Sequence, residues 1–266
     1  MICKTSDNLN VYYEVQGNTE ASETLVFLNG LTQTTASWFF VLPFFKEKYK
    51  IVLLDQIFQG QSDKAEEWRD FDKHAHDVKC VLENEKISKA NIIGLSYGSL
   101  VAQHFALNHP SFVNKLILVS TFAHKTPYYE AIELSWQRAL EFGGYNLMLD
   151  IMLPSVLSEN YFANPIIPIN IMKEARLERT QTKQDILNLM RATKERKDHR
   201  KELEKITAPT IIIQGEKDLL LPVHLANEVH KHIKNSEFKV VANAGHTLNL
   251  EHVPEVCGFI KEFLGN

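Results

Sequence analysis

Cysteine is scarce in this chain of 266 residues, which contains only Cys3, Cys80 and Cys257. Three cysteines that lie far apart do not fit a disulfide framework or a paired CxxC zinc site. The first residues of the chain also lack the apolar core of a signal peptide. Together these absences predict reduced thiols and a cytoplasmic protein.

Neither an excess of one charge nor a long apolar run is present. The 29 Lys and Arg residues stand against 33 Asp and Glu residues, which gives a formal net charge of −4. A nucleic-acid-binding protein would show a basic excess. The longest apolar run, Trp38–Phe45, contains Pro43 and is far shorter than the roughly 20 residues of a membrane-spanning helix. We expect no nucleic-acid partner and no membrane span.

Motifs that bind common cofactors are missing as well. The sequence has no G-x-G-x-x-G dinucleotide fingerprint, no Walker-type G-K-[ST] and no H-E-x-x-H zinc motif. The pairs His74/His76 and His230/His232 are interpreted as surface histidines on helices rather than as metal ligands. We therefore predict a protein that uses no cofactor and no metal.

Short apolar runs alternate with amphipathic segments along most of the chain. Five runs are almost continuously apolar, as expected for strands covered on both faces of a parallel sheet: residues 25–28, 51–54, 91–94, 116–119 and 211–213. Two further strands are predicted at residues 10–15 and 238–241. The predicted helices cover Thr34–Lys48, Asp70–Lys86, Tyr97–Asn108, Val223–Lys234 and Pro254–Leu264. This alternation predicts an α/β protein with a doubly wound sheet.

The alternation stops between residues 122 and 207. This stretch has helical patterning at Tyr129–Phe142 and Ile171–Met190 but no convincing strand. We interpret it as a helical cap inserted into a core made of residues 1–121 and 208–266. Its charge-dense end, residues 191–205, is interpreted as a solvated helix face with local ion pairs.

The sharpest motif is the G-x-S-x-G pentapeptide Gly94–Gly98, which follows a predicted strand and opens a predicted helix. This context is typical of a nucleophile elbow, a strained turn that lifts a serine hydroxyl above the sheet. The central residue is Ser96. A serine needs a base to become nucleophilic, and the base needs an acid to orient it.

A candidate acid and a candidate base both follow Ser96 along the chain. Their order, serine, acid and histidine, is the one found in enzymes with a nucleophile elbow. Asp218 lies just after the predicted strand 211–213, and His246 lies just after the strand 238–241. Because the carboxyl ends of parallel strands build one site, these side chains should meet above the sheet. We predict Ser96, Asp218 and His246 as a catalytic triad.

An acyl-transfer site also needs two donors for the oxyanion of the tetrahedral intermediate. One candidate is the backbone N–H of Tyr97, which directly follows the nucleophile. The other is the backbone N–H of Leu31, in the Asn29-Gly30 loop after the strand 25–28. Taken alone, that loop would be interpreted as an ordinary Asn-Gly turn, and only the triad favours the functional interpretation.

These motifs resemble the α/β-hydrolase superfamily over nearly the whole chain. The matching pieces are Asn29-Gly30, Asp55, Gly60-Gln61-Ser62, the elbow at Ser96, His109-Pro110, residues 215–218 and Gly245-His246. The resemblance implies a mostly parallel eight-stranded sheet flanked by helices, a cap over the pocket and no cofactor. Members often carry His-Gly where this chain has Asn29-Gly30, so we expect altered contacts behind the oxyanion loop.

Three functions remain open on the sequence. The preferred one is a serine hydrolase that cleaves a small-molecule carboxylic ester or thioester through an acyl-enzyme on Ser96. The apolar residues between Leu147 and Met172 suggest a substrate with an apolar acyl part. The first alternative is an acyltransferase with the same triad, because Asn29-Gly30, residues 34–37 and 60–62 also resemble the acyltransferases that make rhamnolipid precursors. The second is a ligand receptor with low turnover. The oligomeric state stays open.

Overall fold

The computed structural model describes residues 1–177 and 181–265. Within these residues, eight strands form one sheet in the order β1-β2-β4-β3-β5-β6-β7-β8. Strands β1 and β2 pair antiparallel to their neighbours, and all other pairs are parallel. The strands are β1 (Ile2–Lys4), β2 (Asn10–Gly17), β3 (Thr24–Leu28), β4 (Lys50–Leu54), β5 (Ala90–Leu95), β6 (Val113–Val119), β7 (Thr210–Gly215) and β8 (Ser236–Val241). The predicted mostly parallel sheet is confirmed.

Both faces of the sheet are covered, which explains why its central strands are apolar without alternation. In β3, the side chains of Val26 and Leu28 join the apolar cluster on one face, whereas Leu25 and Phe27 join the cluster on the other. Successive side chains of a strand point to opposite faces, so a fully apolar run is needed where helices pack on both sides.

Helices follow most of the strands, and four of the five predicted core helices form close to their predicted bounds. The α-helices are α1 (Phe71–Asn84), α2 (Tyr97–Asn108), α3 (Pro127–Val156), α4 (Glu159–Ala163), α5 (Ile169–Leu177), α6 (Lys183–Glu195), α7 (Val223–His232), α8 (Leu248–Glu251) and α9 (Val253–Leu264). None of the helices in the described residues is long and apolar enough to cross a membrane.

The predicted helix Thr34–Lys48 is wrong. The segment forms two short 3₁₀ helices instead, Thr35–Trp38 and Leu42–Phe44. Pro43 lies inside the second one. Proline has no N–H for the i→i−4 hydrogen-bond ladder and its ring clashes with the preceding turn, so a continuous α-helix through this position is disfavoured.

Four helices, α3 to α6, occupy the chain between β6 and β7. Helix α3 contains a kink at Gly144, whose φ of 73° lies in the left-handed region. The single helix predicted over Ile171–Met190 is represented by α5 and α6, and its residues 178–180 lie outside the described residues. The division into a core of residues 1–121 and 208–266 and a cap of residues 122–207 stays a prediction.

The charge-dense segment, residues 191–205, is not simply a solvated helix face. Helix α6 ends at Glu195, and the side chains of Arg196 and His199 beyond it are buried. Arg196 Nη1 donates to the Ala123 carbonyl at 2.5 Å, and its guanidinium lies 4.7 Å from the ring centroid of Phe122. A planar guanidinium can be buried over an aromatic ring, and charge patterning alone does not reveal such a site.

Candidate active site

The turn between β5 and α2 holds Ser96 in a strained backbone conformation. Its φ is 54° and its ψ is −113°, a region that residues other than glycine rarely occupy. The strain is imposed by close packing on both sides. A Cβ atom at Gly94 would lie 2.3 Å from the Gly98 carbonyl oxygen, and one at Gly98 would lie 2.1 Å from the Leu28 carbonyl oxygen. The two glycines of the motif are therefore required sterically.

The three predicted triad side chains form one hydrogen-bonded chain. Nε2 of His246 lies 2.8 Å from Oγ of Ser96, and Nδ1 of His246 lies 2.7 Å from Oδ2 of Asp218. With the Nδ1 proton directed at the carboxylate, Nε2 is free to accept the seryl proton. The loop after β7 carries Asp218 and the loop after β8 carries His246. The fold thus brings these two side chains to Ser96, as the sequence pattern predicted.

The Asp218 carboxylate is buried and held by more than the histidine. Its Oδ1 accepts from the Leu221 backbone N–H at 2.8 Å, and its Oδ2 accepts from Gln214 Nε2 at 2.7 Å. Gln214 and Leu221 were not predicted from the sequence. No motif marks them, because their role depends on the turn that follows β7. These contacts hold the carboxylate in place beside the imidazole of His246.

The loop that carries His246 is bound to the end of helix α3. The backbone N–H groups of His246 and Thr247 both donate to the Val156 carbonyl at 3.1 Å. On its other side, the His246 carbonyl accepts from Ser120 Oγ at 2.7 Å. The histidine is therefore positioned by the inserted helices as well as by the sheet.

The two predicted oxyanion donors, Leu31 and Tyr97, line one small cavity together with Ser96. Tyr97 is the first residue of α2, where a helix leaves its N–H groups without intrahelical partners. The Leu31 loop is supported from behind, since Gln59 Nε2 donates to the Gly30 carbonyl at 2.8 Å. Both residues thus lie beside the seryl oxygen, and their role as oxyanion donors stays a proposal.

Asn29 occupies the position where the family often has histidine. Its Nδ2 donates to the Leu54 carbonyl at 2.9 Å, and its Oδ1 accepts from the indole N–H of Trp38 at 2.8 Å. The residue is fully buried. Asn29 therefore links the loop after β3 to the end of β4 and to the 3₁₀ helix Thr35–Trp38.

A cavity opens above Ser96 and His246 and is walled mainly by apolar side chains. Part of its wall comes from helices α3 and α5: Trp136, Met152, Leu153, Val156 and Met172. The sequence predicted helices here but not which residues face the cavity. Helical periodicity does not separate a cavity wall from ordinary packing.

The remaining acidic and histidine candidates lie elsewhere. Glu216 is exposed and accepts from the Asn243 backbone N–H at 3.0 Å. His74, predicted to lie on the surface, is a residue of α1 that is buried against Tyr97 of α2, and burial lowers its pKa to about 3. The described residues contain no group of three or more His, Cys, Asp or Glu side chains arranged as a possible metal site.

Comparison with known proteins agrees with this architecture. A family profile described as the alpha/beta hydrolase fold matches residues 23–147. A solved α/β-hydrolase enzyme, MGS-M2 from a Medee basin deep-sea metagenome library, superimposes with a TM-score of 0.90 at 26% identity and covers 100% of this chain and 98% of its own. The chain has the α/β-hydrolase fold, and it is similar to members of this superfamily over nearly its whole length.

Matches to known hydrolases extend over almost the whole length of this chain. The AB hydrolase superfamily protein YisY of Bacillus subtilis is 28% identical over 98% of this chain and 97% of its own. A 2-hydroxy-6-oxononadienedioate/2-hydroxy-6-oxononatrienedioate hydrolase of Paraburkholderia phymatum is 27% identical over 97% of this chain and 91% of its own. The chain is therefore similar to hydrolase enzymes from end to end.

Proposed function

We propose that this α/β hydrolase is a cofactor-independent serine hydrolase that cleaves a carboxylic ester or thioester of a small molecule. The observation that carries the proposal is the continuous contact from Ser96 Oγ through His246 to Asp218, at 2.8 Å and 2.7 Å. A nucleophile, a base and an orienting acid within hydrogen-bond reach are what covalent acyl transfer requires.

The reaction begins with attack of Ser96 Oγ on the substrate carbonyl. His246 Nε2 takes the seryl proton as the bond forms, and the backbone N–H groups of Leu31 and Tyr97 stabilise the oxyanion. His246 then gives the proton to the leaving alcohol or thiol. Asp218 keeps the imidazole in the required tautomer and stabilises its charged form.

Water completes the cycle by the same two steps, with water as the nucleophile and Ser96 as the leaving group. His246 accepts a proton from water as the water attacks the acyl group on Ser96, and the second tetrahedral intermediate expels the serine. The product is a free acid. Ester and thioester cleavage differ only in the atom that His246 protonates.

The residues that suggested an acyltransferase have other partners. Asn29 is occupied by the Leu54 carbonyl and Trp38. The Thr35 hydroxyl donates to Glu14 at 2.8 Å, and Ser37 Oγ accepts from the Thr34 N–H at 3.2 Å. These internal contacts explain the presence of the residues, so no role in binding an alcohol acceptor is needed. They support water as the acyl acceptor.

A fluorophosphonate probe tests the nucleophile directly, because it labels only an activated serine. We expect stoichiometric labelling of the wild-type chain, loss of labelling in Ser96→Ala and unchanged labelling in the control Ser135→Ala. Ser135 lies on α3, where its hydroxyl bonds to the Ile132 carbonyl. Labelling of Ser96→Ala at the wild-type rate would refute the proposal.

A further inference from the structure

Two cavities in the described part of the chain both have Ser96 in their walls. Both have Ser96, Leu31, Trp136 and Leu220 in their walls. The larger one, about 60 Å³, also has His246 in its wall. The smaller one, about 20 Å³, has Tyr97 in its wall, and His246 is not among its described lining residues. The site therefore has two unequal sides.

The chemistry of the proposed reaction assigns the two sides. In the tetrahedral intermediate, the carbonyl carbon carries the seryl oxygen, the oxyanion, the acyl chain and the leaving group. His246 must reach the leaving-group atom to protonate it, so the leaving group belongs to the cavity that His246 lines. The acyl chain is then left with the smaller cavity beside Leu31 and Tyr97.

The acyl side is closed by buried side chains. Its far wall consists of Leu100, Phe122, Tyr129 and Thr193. The first three of these are almost fully buried, and the Phe122 and Tyr129 rings pack at 5.0 Å between centroids. The Tyr129 hydroxyl is fixed by a hydrogen bond to Glu133 at 3.1 Å. Close-packed walls of this kind do not yield without cost.

The leaving-group side continues outward. A third cavity of about 240 Å³ shares Gln33, Met172, Thr247 and Leu250 with the His246 side. It adds Phe39, which is 70% exposed, and Phe40 and Ile167. Through these shared residues, the apolar lining of the His246 side continues to the exposed Phe39, between the segment after β3 and helix α5.

We propose that the enzyme is selective for esters that join a short acyl group to a longer apolar alcohol. This inference rests on the proposed function and names its substrate class. The apolar residues of α3 and α5 that suggested an apolar acyl group in the sequence, such as Met152 and Met172, line the leaving-group side. They select the alcohol.

Two ester series measured on the wild-type chain test the assignment. In p-nitrophenyl esters from acetate to octanoate, kcat/KM should be highest at two to four carbons and fall at least tenfold by octanoate. In acetate esters from ethyl to hexyl alcohol, kcat/KM should rise by roughly two- to fourfold per methylene group as apolar surface is buried. A preference for long acyl chains, or no response to alcohol length, would overturn the inference.

Two variants separate the two sides. Leu100→Ala removes three carbon atoms from the acyl wall, so the acyl optimum should move toward longer chains while the alcohol series keeps its wild-type slope. Phe39→Ala truncates an exposed side chain on the alcohol path, so the alcohol series should flatten while the order of the acyl series is kept. Because Phe39 is exposed, this second variant stays informative even if Leu100→Ala does not fold.

The outcomes distinguish the inference from the proposed function. Absence of turnover of every ester together with absence of fluorophosphonate labelling would refute both. Labelling of Ser96 and ester turnover with the reverse chain-length preferences would refute the inference alone. An acyl optimum that stays unmoved in folded Leu100→Ala would also count against the assignment of the small cavity.

Discussion

Replacing Asp218 with asparagine should disable the enzyme while leaving its fold in place. In the native site, Oδ2 accepts both from His246 Nδ1 and from Gln214 Nε2, each at 2.7 Å. An asparagine NH₂ group at that position would face two donors. The imidazole relieves the conflict by moving its proton to Nε2, and it can then no longer accept the proton of Ser96.

The size of the effect follows from the loss of the base. With the wrong tautomer, we expect kcat to fall by about 10⁴-fold, which corresponds to about 5 kcal/mol of transition-state stabilisation. KM should change little, since Asp218 is not among the residues that line the described cavities beside Ser96. The variant loses a charged acceptor for Leu221 and Gln214, so its free energy of unfolding should fall by about 1–3 kcal/mol.

The assay is steady-state hydrolysis of p-nitrophenyl acetate by Asp218→Asn, with urea unfolding as the check on folding. The matched control is Glu216→Gln, two residues away, whose exposed carboxylate accepts from the Asn243 backbone N–H instead of contacting His246. This control should stay within twofold of the wild-type kcat. A folded Asp218→Asn with kcat within tenfold of wild type would show that Asp218 is not the acid that orients His246.

Three further predictions follow from the same structure. Ser96→Ala should lower kcat by at least about 10³-fold and keep its cooperative unfolding; normal turnover would contradict the mechanism. Gly98→Ala should lose more than about 2 kcal/mol of unfolding free energy, because its Cβ would lie 2.1 Å from the Leu28 carbonyl oxygen. Its matched control is Gly258→Ala in α9, whose Cβ would meet nothing within 4 Å and which should gain about 0.5–1 kcal/mol. Equal melting temperatures for the two variants would refute the steric reasoning. Burial raises the pKa of Glu133 from 4.5 to about 7, so the unfolded chain releases this proton at a lower pH than the folded chain does. The wild type should therefore lose on the order of 3 kcal/mol of unfolding free energy between pH 4.5 and 8 relative to Glu133→Gln. Parallel curves of unfolding free energy against pH for the two proteins would show that Glu133 does not titrate in this way.

The sequence predicts most of the sheet and the triad because both depend on local patterns. Fully apolar runs such as Leu25–Leu28 require cover on both faces, and the glycines around Ser96 require close backbone approach. The order of Asp218 and His246 after later strands then places them at one edge. The strands and the elbow need only their immediate neighbours along the chain, and the places of Asp218 and His246 follow from the strands that precede them.

Long-range contacts explain what the sequence does not reveal. His199 is buried because its Nε2 contacts Gln103 Oε1 at 2.7 Å, across nearly a hundred residues of chain. Nothing in the helical pattern of α3 separates Trp136, which faces the cavity, from its neighbours in the packed core. The predicted helix Thr34–Lys48 is a local error, since Pro43 lies within that segment and disfavours a continuous α-helix.

The junction between helix α3 and the loop of His246 has a consequence for how this enzyme could diversify. The Val156 carbonyl holds two backbone N–H groups of that loop, and the Ser155 carbonyl holds the N–H of Leu220, two residues after Asp218. An insert exchanged as a whole module would disturb both loops at once. Divergence in substrate range is therefore easier by single changes at positions such as Trp136 and Met152, whereas the backbone at residues 155 and 156 must be kept together with the loops that carry Asp218 and His246.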